Sequence, residues 1–253
     1  MSRAWACGKR VAVPLGAATL FGEQRRGPLQ GIRGRRLATV VLLMRDWMAR
    51  EVLTLGPEAS AFDALRLCRE RRIRHIPVVK DDRLVGIVSD RDIRDASPPM
   101  GDPERVDVLK KTRLEDMMTR KVITAGLEDA IVHGAQEMYE RRIESLPVVS
   151  EGKLLGIVTS SDVMRALTAL TGVGEPGHSR IAVQAHKPGD LAEVAGIIQN
   201  QEVDIFSVLS SPGKVASHKR TLVFQVATRD PSSIMQSLEE AGHEVRWWHH
   251  LER

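Results

Sequence analysis

Ser89 stands three residues before Asp92, and Thr159 three residues before Asp162, each pair between a short apolar run and a helical one. A hydroxyl followed at that spacing by a carboxylate fits two kinds of chemistry. It matches the capping box, in which the hydroxyl takes a first-turn N–H and the carboxylate returns a bond to the cap residue. It also suits a phosphorylated sugar. A helix start favours an anion, a Ser or Thr hydroxyl adds a bond to phosphate, and a carboxylate can accept from two adjacent ribose hydroxyls. For one copy alone the cap is a sufficient account.

There are two copies. Pro77 and Pro147, Gly86 and Gly156, and Asp92 and Asp162 each lie 70 residues apart, and the same offset carries Met48, Arg50, Val52 and Thr54 onto Met118, Arg120, Val122 and Thr124. "ERRI" recurs at Glu70–Ile73 and Glu140–Ile143 without a gap. Such self-similarity marks a duplicated structural unit. Within each unit "REVLTL" and "RKVITA" alternate β-branched residues, the pattern of a strand. "EASAFDALRLCRERR" and "EDAIVHGAQEMYERR" are spaced as helices. "IPVV" and "LPVV" open with a strand-initial proline, and the polar "KDDR" and "SEGK" are hairpin turns into "LVGIV" and "LLGIV". A second helix follows each box, so the unit is predicted as β-α-β-β-α.

Domain organisation follows from these patterns. Residues 44–100 and 114–170 are the repeats, with 101–113 as linker among Pro98, Pro99 and Pro103. A Gly/Pro-rich stretch, 171–179, precedes a tail at 180–253 that reads β-α-β-β-α-β, the ferredoxin-like order. In it Asp230 is the expected cap of a helix with Pro231 at its first position and Gly242 at its end. Residues 1–43 carry eight basic residues against the single Glu23, leaving the remaining chain mildly acidic, so the pI near 9.3 does not signal a nucleic-acid footprint. That stretch reads as a disordered or non-native leader or a targeting segment, with organised sequence from Met44. No stretch has the apolar length of a membrane span. Cys7 and Cys68 cannot make a disulfide framework, and a buried reduced Cys68 suits the cytoplasm.

The doubled P-V-V, G-[IV]-V-[ST]-x-x-D-[IV] pattern resembles the tandem CBS-domain pair, or Bateman module, over roughly residues 44–170. The tail, with "HKPGDLAEVAGII" at its first corner, is similar to an ACT domain. CBS pair then ACT resembles the bacterial acetoin-utilisation regulatory family. The expected fold is therefore α/β (α+β), a Bateman module followed by an ACT-like domain.

The resemblance implies a regulatory, non-catalytic protein binding AMP, ADP or ATP, with S-adenosylmethionine, NAD or a cyclic dinucleotide as alternatives and no required cofactor. It implies Asp92 and Asp162 at ribose and Ser89 and Thr159 at phosphate. Ile73, Arg74, His75 and Ile76, with Ile143, Glu144, Ser145 and Leu146, would flank adenine, and Thr54 and Thr124 would add contacts. Copy one carries Arg74, His75 and Arg91 where copy two has Glu144, Ser145 and Ser161, which reads either as unequal phosphate preference, if these side chains face a cleft, or as a solvated surface. At the tail corner, Pro188, Gly189, Asp190 and Leu191 read either as a tight turn capped by Asp190 or, by resemblance, as an amino-acid effector site. A homodimer and a regulated protein partner are implied; nucleic acid and membrane are not. No zinc spacing, GxxxxGK, GxGxxG or GxSxG occurs. A ligand-free oligomerisation scaffold and an enzyme with an unrecognised site are the alternative functions. Trp47, Trp247 and Trp248 read as packing residues, and His249 and His250 as surface.

Overall fold

The computed structural model describes residues 42–172, 176–211 and 220–250, with side chains to Arg246. The expected leader lies outside these residues but for Leu42 and Leu43, as do Cys7 and the side chains of Trp247, Trp248, His249 and His250. Two compact units meet in the chain between Met164 and Arg165.

In the first unit a short helix α1 (Met44–Trp47) leads to α2 (Ala61–Arg71), β1 (His75–Lys80), β2 (Arg83–Ser89) and α3 (Asp90–Asp95). After α4 (Arg105–Lys111) the pattern repeats as α5 (Leu114–Met117), α6 (Ile131–Arg141), β3 (Ser145–Ser150), β4 (Lys153–Thr159) and α7 (Ser160–Thr171). The hairpins close as the polar turns predict. Asp81, Asp82, Glu151 and Gly152 all take positive φ, the backbone a two-residue turn needs to match strand twist. The hairpins join at Arg83 and Lys153, giving the order β1-β2-β4-β3. Ser60 caps α2 by accepting from the Asp63 N–H at 3.1 Å; its counterpart Ala130 has no side chain with which to cap α6.

Two expectations need correction. "REVLTL" and "RKVITA" are not strands. Each makes one parallel bridge, Leu55 with Val78 and Ala125 with Val148. The reason is a change of partner: Ala49 pairs with Ile157 of copy two, and six residues later Leu55 pairs with Val78 of copy one. A chain that crosses between hairpins so quickly cannot extend a ladder on either. The stretch 101–113 is also more than a linker, since it holds α4, whose Leu109 is buried with α2 and β1 residues.

These crossings interlock the copies. Around α1, the Met44 N–H donates to Asp129 O at 2.9 Å, and the Ile131 N–H donates to Leu42 O at 2.7 Å. Around α5, the Leu114 N–H donates to Ala59 O at 3.0 Å, and the Ala61 N–H donates to Thr112 O at 2.9 Å. Leu114 and Met118 thereby complete the copy-one core of Ala64, Leu65, Cys68, Ile76, Val78, Val88 and Ile93. The repeated G-[IV]-V glycines make room for the crossing. A methyl on Gly86 would run into Met118. One on Gly156 would meet Met48 Sδ at 2.5 Å and the Ala49 carbonyl oxygen at 2.9 Å. These glycines are required by close approach rather than by backbone angle.

The second unit has the predicted β-α-β-β-α-β succession: β5 (Ser179–Ala185), α8 (Asp190–Asn200), β6 (Ile205–Ser210), β7 (Arg220–Val226), α9 (Ser232–Glu240) and β8 (Glu244–His250). The strands are antiparallel in the order β6-β7-β5-β8. Alternate residues Ile181, Val183, Leu222 and Phe224 pack with Val194, Ile198, Ile234 and Leu238 of the helices. Helix α9 starts one residue later than expected, with Pro231 at the N-cap position, although the Asp230 carboxylate still accepts the Ser232 N–H at 3.0 Å. Gly242 follows α9 with φ 86°.

Candidate functional site

In both copies the carboxylate reaches back to the hydroxyl residue, and in copy one the box closes reciprocally. Asp92 Oδ2 accepts from the Ser89 N–H at 2.9 Å and from the Ser89 hydroxyl at 2.7 Å, and the Ser89 oxygen accepts from the Asp92 N–H at 3.1 Å. Asp162 Oδ2 accepts the same two bonds from Thr159 at 2.9 and 2.7 Å. The next N–H ties each helix start to the residue before the first hairpin strand: Asp90 N–H to Arg74 O at 2.9 Å, and Ser160 N–H to Glu144 O at 3.0 Å. The cap therefore anchors both the hydroxyl–carboxylate pair and the pre-strand residue. In each box Oδ2 takes both bonds from the hydroxyl residue.

A cleft of about 580 Å³ opens at the copy-one box, within the range of a small-molecule site. Copy one supplies Arg74, His75, Ser89, Asp90, Arg91, Asp92 and Arg94 to its wall. Copy two supplies Lys121, Val122 and Ile123 from its crossing segment, and Arg142, Ile143, Glu144 and Ser145 from the approach to β3. The wall thus carries five cationic side chains against three carboxylates. Arg94 is paired with Asp90 at 2.9 Å and Arg74 with Glu144 at 3.6 Å, the latter joining equivalent positions of the two copies. Arg91, Lys121 and Arg142 are exposed and make no ion pair among the described residues. Burial pushes the His75 pKa below its ordinary value, against the opposing pull of Glu144, Asp90 and Asp92. The ring is therefore neutral at pH 7.

Of the residues singled out in the sequence, Arg74, His75, Ser89, Arg91, Asp92, Ile143, Glu144 and Ser145 line this cleft. Ile76 and Leu146 are core residues at 0% and 1% exposure. Thr54 is buried, whereas its counterpart Thr124 is exposed. Ile73 is half-buried and packs on the copy-one core. Thr159, Ser161 and Asp162 sit at the copy-two box, away from the cleft at Asp92. Lys121, Val122, Ile123, Arg142 and Arg94 were missed. The 70-residue offset equates positions between copies but carries no sign of which segment crosses into the other copy's site.

Cys68 is buried as expected, and burial raises its pKa to about 11, so it stays a thiol. At the tail corner, Gly189 has φ 99° and Leu191 is exposed. Asp190 does not cap α8 as expected. Its Oδ2 instead accepts from the His186 N–H at 2.6 Å and the Lys187 N–H at 3.0 Å, tying down the preceding loop. Those two bonds hold its carboxyl below the usual range. Its Oδ1, buried, lies 3.9 Å from Lys187 Nζ with no hydrogen bond among the described residues. No described helix is long and apolar enough to cross a membrane.

The family model described as CBS domain matches residues 44–98 and 114–169. An inosine-5′-monophosphate dehydrogenase of Korarchaeum cryptofilum is 39% identical over 128 residues, 50% of this chain but 25% of that protein. The chain thus spans about a quarter of that enzyme's length. An uncharacterised protein of Methanocaldococcus jannaschii is 34% identical over 155 residues, covering 50% of this chain and 92% of its own. Among solved structures, the CBS domain pair of protein MJ0100, in complex with 5′-methylthioadenosine and S-adenosyl-L-methionine, is 30% identical. It covers 51% of this chain and 98% of its own with a TM-score of 0.44. A Vibrio cholerae protein provisionally described as an acetoin utilization protein is 30% identical, covers 54% and 97%, and has a TM-score of 0.47.

Proposed function

The chain belongs to the CBS-domain family, and from that premise we propose that it is a non-catalytic regulatory protein whose paired repeats bind an adenosine-type nucleotide. One observation carries the reading: a cleft of about 580 Å³ is walled by both copies and has the Ser89–Asp92 pair at its edge. Asp92 Oδ2 is engaged by Ser89, which fixes the carboxylate and leaves Oδ1 to accept from ribose hydroxyls. Ile87, Val122, Ile123 and Ile143 supply apolar surface for a base. Arg91, Lys121 and Arg142 supply donors for phosphate. The copy-two box offers the same carboxylate at Asp162.

Regulation follows if ligand binds one arrangement of the copies better than another. Because the wall belongs to both copies, any ligand spanning it senses their relative placement. The tail, read as ACT-like, serves dimerisation or a second effector at Pro188–Leu191, and the chain acts in the cytoplasm as a homodimer on a protein partner. Sedimentation of the intact protein checks the dimer.

The test is to release and mass-identify whatever small molecule copurifies, then titrate AMP, ADP, ATP and S-adenosylmethionine into wild type, Asp92→Ala and Asp162→Ala. Loss of one binding event in each variant is expected. Unchanged binding in both would sink the assignment. A ligand-free scaffold has one observation in its favour, the boxes that close on themselves. It requires that no adenine nucleotide raise the melting temperature, since ligand bound to the native state must stabilise it.

A further inference from the structure

The positions equivalent to the charged wall of the Asp92 cleft carry a different charge balance, and one of them lies on the segment that crosses between repeats. Thr119 pairs with Ile87, which brings Lys121, Val122 and Ile123 into the wall of the Asp92 cleft. The equivalent bridge is Ala49 with Ile157, and Val52 packs with Leu154 and Ile157 of copy two. By the 70-residue offset Glu51 holds the position in this crossing that Lys121 holds in the other. Where the first site has Lys121, the second therefore has Glu51. Where the first has Arg91 and Arg94, the second has Ser161 and Met164. Shifting every charged wall residue of the first cleft by 70 positions leaves Arg72 and Arg74 against Glu51, Glu144 and Asp162. Five cations against three carboxylates become two against three.

We infer that Lys121 and Glu51 are specificity-determining residues that set the ligand charge each aspartate accepts. The Asp92 cleft takes a nucleoside polyphosphate. The Asp162 site takes an adenosine compound whose 5′ substituent is neutral or cationic. The inference rests on the adenosine-binding reading above and adds the charge class at each site. Its physical content is that exposed, unpaired cations at Arg91, Lys121 and Arg142 attract three or four phosphate charges, whereas a carboxylate at position 51 repels them. A like charge against a bound phosphate acts as a rejecting element, not merely a missing contact.

The experiment is calorimetric titration of the full chain with ATP, S-adenosylmethionine, adenosine and inorganic tripolyphosphate, at low and high salt. Wild type is expected to bind one ATP per chain at a salt-sensitive site, with S-adenosylmethionine at a separate salt-insensitive one. Lys121→Glu should weaken ATP about tenfold or more while adenosine moves less than threefold. Glu51→Lys should create a second ATP site and weaken S-adenosylmethionine. The inference is overturned if both variants leave ATP affinity and stoichiometry within twofold while adenine compounds still bind. It is also overturned if tripolyphosphate binds as tightly as ATP, because the cleft is then a bare anion patch. If no adenine compound binds at all, the underlying reading falls and takes this one with it.

Discussion

The two copies share a backbone plan and differ in what they present. Both bring the carboxylate back to the hydroxyl residue with bonds of the same length, and both hold the pre-strand residue by the first helical N–H. Around that common frame, copy one places Arg74, His75, Asp90, Arg91 and Arg94, where copy two places Glu144, Ser145, Ser160, Ser161 and Met164. Duplication thus preserves what holds the box and frees what surrounds it. At Ser89 the box caps α3, so any ligand role there is added to a cap rather than replacing one.

The comparison breaks most severely where the copies lock together. Leu114 belongs to copy two in sequence but is fully buried in the copy-one core. Leu114→Ala is expected to cost about 2–5 kcal/mol of stability in chemical denaturation. Hydrogen exchange should locate the loss at α2 and β1 rather than at α6 and β3. Loss confined to α6 and β3 would refute the interlock.

The glycine pair gives a smaller, asymmetric effect. Gly156→Ala drives a methyl against the Ala49 carbonyl, which is backbone and cannot move aside, whereas Gly86→Ala meets only the flexible Met118 side chain. The first should cost about 1–3 kcal/mol and the second clearly less, as paired denaturant midpoints would reveal. Equal costs would mean that the two crossings are packed alike.

Capping separates the copies next. Ser60 caps α2, but Ala130, with extended backbone at φ −70° and ψ 134°, leaves α6 uncapped. Ala130→Ser should stabilise by about 1 kcal/mol, seen as a raised melting temperature. Ser60→Ala should lower it by a similar amount.

The smallest effect is set by pH. His75 has no titratable counterpart, because copy two carries Ser145. Its pKa is lowered in the folded state by burial, so the unfolded chain binds the proton more readily. Stability is therefore full above the ordinary histidine value of about 6.5 and falls as pH drops below it. His75→Gln should flatten the stability profile on that acid side, measured by denaturation at pH 5 to 7. An unchanged slope would show that His75 is not the group responsible.

Much of this was legible in the chain. The hairpins announce themselves by proline-initiated apolar runs and polar turns, and the boxes by residue type and spacing. Helical spacing marks α2 and α6. The opening segments misled because β-branched alternation signals a pleated surface without saying whose; Val52 and Leu55 satisfy it against two different hairpins. Helix α4 was hidden by Pro98, Pro99, Gly101 and Pro103, which punctuate its approach but stop before Arg105. At the site, the residues of the repeated motif and of the approach to each hairpin could be named, whereas Arg94, one turn into α3, carries no motif signal. Nor could Lys121 be named, since its place in the wall depends on a crossing that no local pattern encodes.

That crossing has a consequence for how such a pair arises. A chain encoding one copy alone would have an open core and a short opening helix shaped to close someone else's. Two such chains satisfy one another by exchanging their opening segments across a true two-fold axis. The fused chain keeps this exchange but no longer needs its halves to be identical. Once covalently joined, the partners are free to diverge, and Lys121 in one repeat where the other has Glu51 is the kind of difference that symmetry would have forbidden.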